Sequence, residues 1–309
     1  MLSTDAALQR VKGIKKSFDN GFQNRLEQYM EIPIIDFYST SEISEIFTST
    51  EDLSGSRELA ELETPPTLTL QDGYSVTISE KRFGGGILLP ETVYKREGRD
   101  TTWKVDEFLK RQRDQLLRDN MNLLLTNAHA MLNEAFSNTS AYLAPDAVEI
   151  CGTHNWRTGT TFANATTAKL STDAIDTLEE YGGAFTSPSG KPVPLDFDVI
   201  VVKKGSANER MAIKLFAENI KPTALADINI YEGTKKIVAT PYITYANRNF
   251  WFALSSYYPT PLAVGLGIKP TLNEPIRENN EALRTNCTGF WKQGVINMPF
   301  NIYGSDGTV

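Results

Sequence analysis

Cysteine and histidine are scarce in this sequence, which has two of each among its 309 residues. Two cysteines in a chain of this length do not make a disulfide framework. Zinc sites and thiol–imidazole catalytic pairs draw on the same two residue types. Chemistry that needs a thiol or an imidazole is therefore confined to Cys151, Cys287, His129 and His154.

Cys151 and His154 form a Cys-x-x-His within the loop CGTHNWRTGT. As half of a metal site this pair lacks a second pair, since Cys287 has no cysteine or histidine near it in sequence. As a nucleophile and its base, the pair would need a third, orienting group, which spacing does not reveal. We predict no catalytic, metal or cofactor site here, and we interpret His129 as a hydrogen-bonded residue of a helix.

Long apolar runs and an excess of positive charge are also absent. No apolar run approaches the ~20 residues that a membrane crossing needs, and the N-terminus lacks the apolar core of a signal peptide. The net charge of −7 and the pI near 5.1 argue against tight binding of nucleic acid. We therefore expect a soluble protein that is made in the cytoplasm and does not contact a membrane.

The recurrent motifs of enzymes are missing as well. The Gly84–Gly86 run lacks the Lys-Ser or Lys-Thr of a phosphate-binding loop, and we interpret it as a bend or a close backbone approach that breaks the chain. The sequence contains no Gly-x-Ser-x-Gly, and its carboxylates are scattered. We predict that the protein is not an enzyme and uses no cofactor.

The most prominent feature that is present is the stretch 101–136, which has neither proline nor glycine. It predicts a helix over 102–136, capped by Asp100, Thr101 or Thr102, and roughly 50 Å long. Such a rod must lie against a sheet or against neighbouring subunits. Its apolar residues fall at helical spacing; they are Leu109, Leu116, Leu117, Met121, Leu124, Ala128, Met131, Leu132, Ala135 and Phe136.

Two segments precede this helix. Residues 1–50 carry an apolar stripe at helical spacing, interrupted by Gly13 and Asn20-Gly21, and we interpret them as an N-terminal arm. The stripe leaves two alternatives open, a helix packed on the core of its own chain or an arm docked on a neighbouring subunit. Residues 50–85 are polar and acidic, and they predict an extended loop or hairpin containing a strand with Tyr74, Val76 and Ile78 on one face.

After the helix, residues 171–262 predict a compact α/β unit. A helix over 171–181 is capped by Ser171 or Thr172 and ended by Gly182-Gly183. The buried strand VIVVKK follows, then a helix over 208–218 and two further strands. We expect this second helix to point Met211, Ala212, Leu215 and Phe216 inward. Residues 263–309 predict short strands that return to a sheet beside the long helix.

The segment 187–243 carries a resemblance to a known family. A Gly-x-Pro turn precedes an apolar strand at 190–202, a helix with paired small and large apolar residues follows at 212–217, and an Asn-x-Tyr turn leads into a strand at 229–241. An aromatic strand with Phe250, Trp251 and Leu254 completes the pattern. This pattern resembles tailed-bacteriophage major capsid proteins of the Hong Kong 97 type, and within them the Mu-like major head subunits.

The resemblance implies an α+β fold of the Hong Kong 97-like type with an N-terminal arm, an extended loop, a long spine helix, a peripheral sheet and an axial α/β subdomain. The corresponding boundaries are 1–50 for the arm, 50–85 for the loop, 86–170 for the peripheral domain with spine helix 102–136, 171–262 for the axial domain and 263–309 for the return to the peripheral domain.

The same resemblance implies the major capsid protein of a tailed double-stranded DNA phage or prophage. Subunits would assemble in the host cytoplasm into hexamers and pentamers of an icosahedral shell, as part of a virion, around DNA held by non-specific contact. Implied partners are a portal, decoration proteins and a separate scaffolding protein, since the sequence has no charged coiled-coil segment at its start. Two alternatives stay open: an encapsulin-like nanocompartment shell, and an α/β enzyme with its site at Cys151 and His154.

Overall fold

The computed structural model describes residues 4–30, 34–54, 69–96, 104–217, 231–278 and 282–308. Some of the expectations above fall outside these residues. They concern the acidic centre of the extended loop, the proposed caps Asp100, Thr101 and Thr102, and the Asn-x-Tyr turn at Asn229.

The described residues form five helices and fourteen strands. The helices are α1 (Thr4–Met30), α2 (Glu91–Arg96), α3 (Val105–Asn133), α4 (Thr172–Ala184) and α5 (Ala207–Phe216). The strands are β1 (Asp36–Ser39), β2 (Ser44–Ser54), β3 (Thr69–Ser79), β4 (Lys81–Leu89), β5 (Thr153–Asn155), β6 (Thr161–Ala163), β7 (Ala165–Thr166), β8 (Val199–Lys203), β9 (Lys236–Thr240), β10 (Trp251–Leu254), β11 (Leu262–Leu272), β12 (Ile276–Arg277), β13 (Leu283–Val295) and β14 (Ile302–Ser305).

The predicted long helix is confirmed as α3, which ends three residues earlier than expected. Its 29 residues span about 43 Å. Beyond Asn133 the backbone leaves the helix, and the carbonyl of Ala135 accepts a hydrogen bond of 2.8 Å from the N–H of Cys151. The prediction that the helix reaches residue 136 is wrong because this carbonyl bonds to a later segment of the chain, which apolar spacing does not reveal.

The predicted apolar face of α3 is buried, apart from Phe136, which is partly exposed. The sequence prediction missed Leu125, His129 and Asn120, which are buried too. The amide of Asn120 donates to the carbonyl of Leu116 at 2.9 Å, so a polar side chain is accommodated without an unsatisfied donor. The buried surface of α3 is therefore wider than one apolar stripe, because the helix is covered from several sides.

One of these covers is α1, which packs along α3 in the same chain. Phe18, Phe22 and Leu26 are 0–1% exposed. Gly21 does not interrupt the helix; a Cβ at this position would lie 2.9 Å from a methyl carbon of Leu117. The missing side chain lets the two helices approach closely. Of the two alternatives, the structure shows the helix packed on its own core.

A second cover is a five-stranded sheet with the strand order β1-β11-β13-β12, in which β4 also pairs with β13. We call it the peripheral sheet. The Gly84–Gly86 run lies within β4, so the expected break is wrong, while the close approach is present: a Cβ on Gly85 would lie 2.8 Å from a methyl carbon of Leu116 on α3. Strands β11 and β13 have 11 and 13 residues, longer than the short strands expected.

The second five-stranded sheet has the order β7-β14-β10-β8-β9. Residues of β8 and β10 alternate between two cores: Val199, Val201 and Phe252 join the core around α3, whereas Ile200 and Trp251 join the core under α4 and α5. Burial on both faces explains the continuous apolar runs VIVV and WFAL. Strand β14 pairs with β10, so the end of the chain does not return to the peripheral sheet as expected.

Helices α4 and α5 differ from the sequence prediction in two details. Ser171 caps α4 as predicted, with its hydroxyl 3.2 Å from the N–H of Ala174. The helix nevertheless continues through Gly182, because this glycine packs where a Cβ would collide with the carbonyl of Leu195 and is not a helix stop. Met211 of α5 is 37% exposed, so the expectation that it points inward is wrong. Fewer side chains of α5 pack inward than its apolar pattern predicts.

The central place of α3 gives a paired test. Leu124 is fully buried, and its neighbour Leu123 is 39% exposed. Leu124→Asp should lower the free energy of unfolding by at least about 4 kcal/mol, because it removes apolar burial and places an unpaired carboxylate in the core. Leu123→Asp should cost about 0.5 kcal/mol. Denaturant unfolding of both variants measures the difference, and similar losses would show that the buried face is assigned wrongly.

Candidate functional site

The Cys151–His154 pair is a buried structural feature. The ring of His154 is fully buried, with Nδ1 3.1 Å from a carboxylate oxygen of Asp146 and Nε2 3.2 Å from the carbonyl of Ile150. Asp146 also accepts from the N–H of Asn155 at 3.0 Å. Burial raises the pKa of Asp146, but hydrogen bonds and charge from His154 outweigh burial, and its pKa lies below the usual range. His154 therefore fastens the loop that surrounds it.

The thiol of Cys151 is equally unsuited to nucleophilic chemistry. Burial raises its pKa far above the ordinary range, and the negative charge of Glu149 adds to the effect. Both Cys151 and His154 lie in the described part of the chain, and no hydrogen bond joins them. Thiolates are the reactive form of cysteine, so a neutral, buried thiol is a packing residue.

His129 is a hydrogen-bonded helix residue, as predicted. Its Nδ1 lies 2.8 Å from the carbonyl of Leu125, and its Nε2 lies 3.2 Å from the hydroxyl of Thr240. Burial lowers the pKa of the ring, which favours the neutral form. Nδ1 then donates to the carbonyl and Nε2 accepts from the hydroxyl, so that this residue links α3 to β9. Nowhere in the described ranges do three histidine, cysteine or carboxylate side chains gather as metal ligands.

The feature that stands out is the hairpin of β2 and β3, two strands of 11 residues each. The strands pair with each other from Ser44 and Ser79 to Ser54 and Thr69. The hairpin therefore begins six residues before the extended loop predicted over 50–85, and residues 81–85 lie in β4 of the peripheral sheet instead. At about 3.3 Å per residue the ribbon is about 35 Å long. Ile46 is 73% exposed on one face, and Ile43, just before the hairpin, is 74% exposed.

A buried charged cluster holds the base of this hairpin. The side chain of Lys292 on β13 is 1% exposed; its ammonium lies 3.2 Å from the carboxylate of Glu45 and donates to the carbonyl of Glu42 at 2.7 Å. Tyr38 donates to Glu45 at 2.6 Å, and Thr40 donates to it as well. Burial raises the pKa of Glu45, but these hydrogen bonds and the Lys292 charge outweigh burial, and the pKa is lowered.

The cluster links the hairpin to the rest of the chain through side chains that the sequence prediction missed. Lys292 lies in GFWKQG, where a lysine directly after two large apolar residues in a strand was the one available signal. Gly265 makes the space, because a Cβ there would lie 2.7 Å from the Tyr38 ring and 3.0 Å from Cε of Lys292. Further along, Arg157 donates to the carbonyl of Gly73 at 3.2 Å. The hairpin is therefore fixed at its base.

No protein-family model matches the sequence, and no curated protein matches it. Among solved structures, the chain is similar to that of a virus-like particle from Pyrococcus furiosus, with 12% identity and a TM-score of 0.47 over 95% of this chain and 98% of that one. It is similar to the capsid of Myoviridae phage XM1, with 12% identity and a TM-score of 0.48 over 90% of each chain. It is also similar to the capsid of an empty GTA particle, with 10% identity and a TM-score of 0.48 over 88% and 87%.

The predicted fold class is confirmed. The chain is α+β, with an N-terminal helix, an extended hairpin, a long helix and an α/β unit in this order. The strands of the peripheral sheet come from before the long helix and from after the α/β unit. Of the helices that the structure describes, none combines the length and the apolar character that crossing a bilayer requires.

The base cluster of the hairpin gives a second paired test. Lys292→Met should lower the free energy of unfolding by about 3 kcal/mol, because the Glu45 carboxylate loses its buried partner. Lys12→Met is the matched control: Lys12 and its partner Glu274 are 44% and 67% exposed, and such a surface pair contributes ~0–1 kcal/mol. Adding Glu45→Gln to Lys292→Met should recover part of the loss. Equal losses for Lys292→Met and Lys12→Met would contradict the assignment.

Proposed function

We propose that this protein is a shell-forming structural protein, namely the major capsid (head) protein of a tailed double-stranded DNA bacteriophage or prophage. Its copies assemble into the hexamers and pentamers of an icosahedral shell that encloses the genome. The observation that carries the proposal is the hairpin β2–β3, a long two-stranded ribbon that is fixed firmly at its base and pairs with no third strand in the described residues.

Such a ribbon needs another surface to pair with or to pack against. An isolated two-stranded hairpin is marginally stable in water, and both of its outer edges offer unpaired backbone groups. The buried cluster of Lys292 and Glu45 nevertheless fixes the position of the base of the hairpin against β13. The cluster holds in one orientation a ribbon that exposes isoleucine side chains. A neighbouring copy that covers the ribbon would explain why its orientation is fixed.

The α/β unit offers a second surface for contact between copies. Met211 and Ile213 of α5 are 37% and 39% exposed, and Tyr245, in the turn after β9, is 74% exposed. We place the contacts within each hexamer or pentamer on this unit, residues 171–262. Residues 50–85 and 86–170 then serve as extended loop and peripheral domain. Of residues 1–50, the arm in this layout, helix α1 covers α3 of its own chain. Of the return segment 263–309, β11 and β13 join the peripheral sheet, whereas β14 joins the second sheet.

The net charge of −7 fits a shell around DNA. Basic surfaces that release counterions would bind phosphates tightly, whereas an acidic protein leaves packaged DNA held by confinement. On this proposal the protein acts within a virion after assembly in the host cytoplasm. Its partners are its own copies, a scaffolding protein, a portal and decoration proteins, and its relatives are the Mu-like head subunits. It performs no catalysis.

Sedimentation velocity with paired variants tests the proposal. The wild-type chain should sediment as particles of many copies. Ile43→Ser with Ile46→Ser should leave the melting temperature unchanged, because both side chains are exposed, and should leave the protein as small oligomers. Leu123→Ser, an exposed residue on α3, is the control and should assemble normally. Particles of wild-type size from the double variant would contradict the role of the hairpin.

The content of the particles separates the phage head from the encapsulin-like alternative. Particles recovered from cells that express the whole gene cluster should contain double-stranded DNA. Particles that contain a specific protein cargo and no DNA would favour the nanocompartment.

A further inference from the structure

Helices α4 and α5 of the α/β unit expose stripes of opposite charge. On α4, Asp173, Asp176 and Glu180 are exposed, and the helix contains no lysine or arginine. On α5, Arg210 and Lys214 are exposed. Members of each set are three or four residues apart, so they share one face of their helix. One copy of the chain therefore carries an acidic stripe and a basic stripe on separate helices.

Neither stripe is neutralised inside its own chain. Glu179, which is next to the acidic stripe, is paired with the buried Lys235. Glu209, the carboxylate of α5, accepts from the N–H of Gly205 in the preceding turn. Across the ranges that the structure describes, the side chains of the two stripes form no ion pair. Like charges at this spacing repel each other and weaken their helix slightly. A surface of opposite charge would remove that repulsion.

The centres of both stripes are only weakly polar. Ile213 of α5 is 39% exposed and lies between the two cations of the basic stripe. At the same place in the acidic stripe, between Asp176 and Glu180, is the exposed Thr177. Its hydroxyl donates to the carbonyl of Asp173 at 2.9 Å, so this polar group is satisfied within the helix. The two stripes therefore match in charge at their ends and in polarity at their centres.

We propose that the acidic stripe of one copy binds the basic stripe of the next copy within a hexamer or pentamer, a contact that presupposes the proposed shell function. Asp176 and Glu180 are about 6 Å apart along the helix axis, and so are Arg210 and Lys214. Two ion pairs can therefore form together when the helices lie alongside each other. A second copy is the partner that supplies both stripes at the same spacing.

The contact joins two different surfaces, so it is heterologous. Heterologous contacts link copies head to tail and form a ring when the rotation between copies closes. An exposed ion pair strengthens binding by only about fivefold at most. The charges therefore select the partner and its register, while apolar contact around Ile213 adds affinity.

Charge reversal tests the contact, with rings of five and six copies counted by mass photometry. The α4 variant is Asp176→Lys with Glu180→Lys, and the α5 variant is Arg210→Glu with Lys214→Glu. Each variant alone should lose rings at least about tenfold, because like charges then face each other across the contact. All four positions are exposed, so the melting temperature should change little.

A control separates this effect from a change in net charge. Asp106→Lys with Asp119→Lys, at exposed positions of α3, changes the net charge by the same amount as the α4 variant. It should form rings as the wild-type chain does.

Mixing the two variants gives a result that is specific to a heterologous contact. The new cations of the α4 variant face the new carboxylates of the α5 variant, and the unaltered stripes face each other. An equal mixture should therefore recover rings of six, in which the variants alternate. Rings of five cannot alternate without one repulsive contact and should stay rare. A single chain with all four substitutions has both charges exchanged and should recover rings of both sizes.

The outcomes separate this contact from the shell function. Normal rings from either variant alone, or a folded four-substitution chain that forms none, would overturn the contact while the wild-type shell stands. A wild-type chain that forms neither rings nor shells would overturn the shell function itself. If the α4 variant does not fold, Asp176→Asn with Glu180→Gln keeps the side-chain sizes and should lower the ring population about threefold. An unchanged population would then refute the contact.

Discussion

Burial of the apolar surface of α3 is the constraint on which the rest of the structure depends. A helix of 29 residues with buried side chains along its whole length cannot be stable alone in water, and the chain covers it in three ways. Helix α1 packs along one side, the peripheral sheet along another, and the second sheet meets its C-terminal half. The Asn133 amide, which donates to the carbonyl of Tyr242 at 3.0 Å, and His129 fasten this last contact.

Strand β13 connects α3 to the base of the hairpin. Trp291 and Gln293 project to one face of the strand, where Gln293 contacts α3, while Lys292 between them projects to the other face and holds Glu45. One strand thus joins the long helix to the base of the hairpin.

Periodicity predicted the parts of this structure that depend on local pattern. The buried face of α3, the Ser171 cap and the doubly buried strand β8 follow from spacing and residue type alone. The glycines could not be interpreted in this way: Gly21, Gly85 and Gly182 act through close contacts with distant segments, and a sequence does not show what a missing Cβ makes room for.

Contacts between residues far apart in the sequence account for the features that could not be predicted. The hairpin was foreseen as a polar projection, but its anchor joins residues at opposite ends of the sequence, Glu45 and Lys292. Strand β14 was likewise expected to join the peripheral sheet, but it forms an antiparallel pair with β10 of the second sheet.

The proposed shell is tested most directly by electron microscopy of the purified full-length chain. Closed shells, or rings of five and six copies that close into shells, are the expected result. A monodisperse monomer that forms neither rings nor shells under any condition of salt, pH or protein concentration would contradict the proposed function.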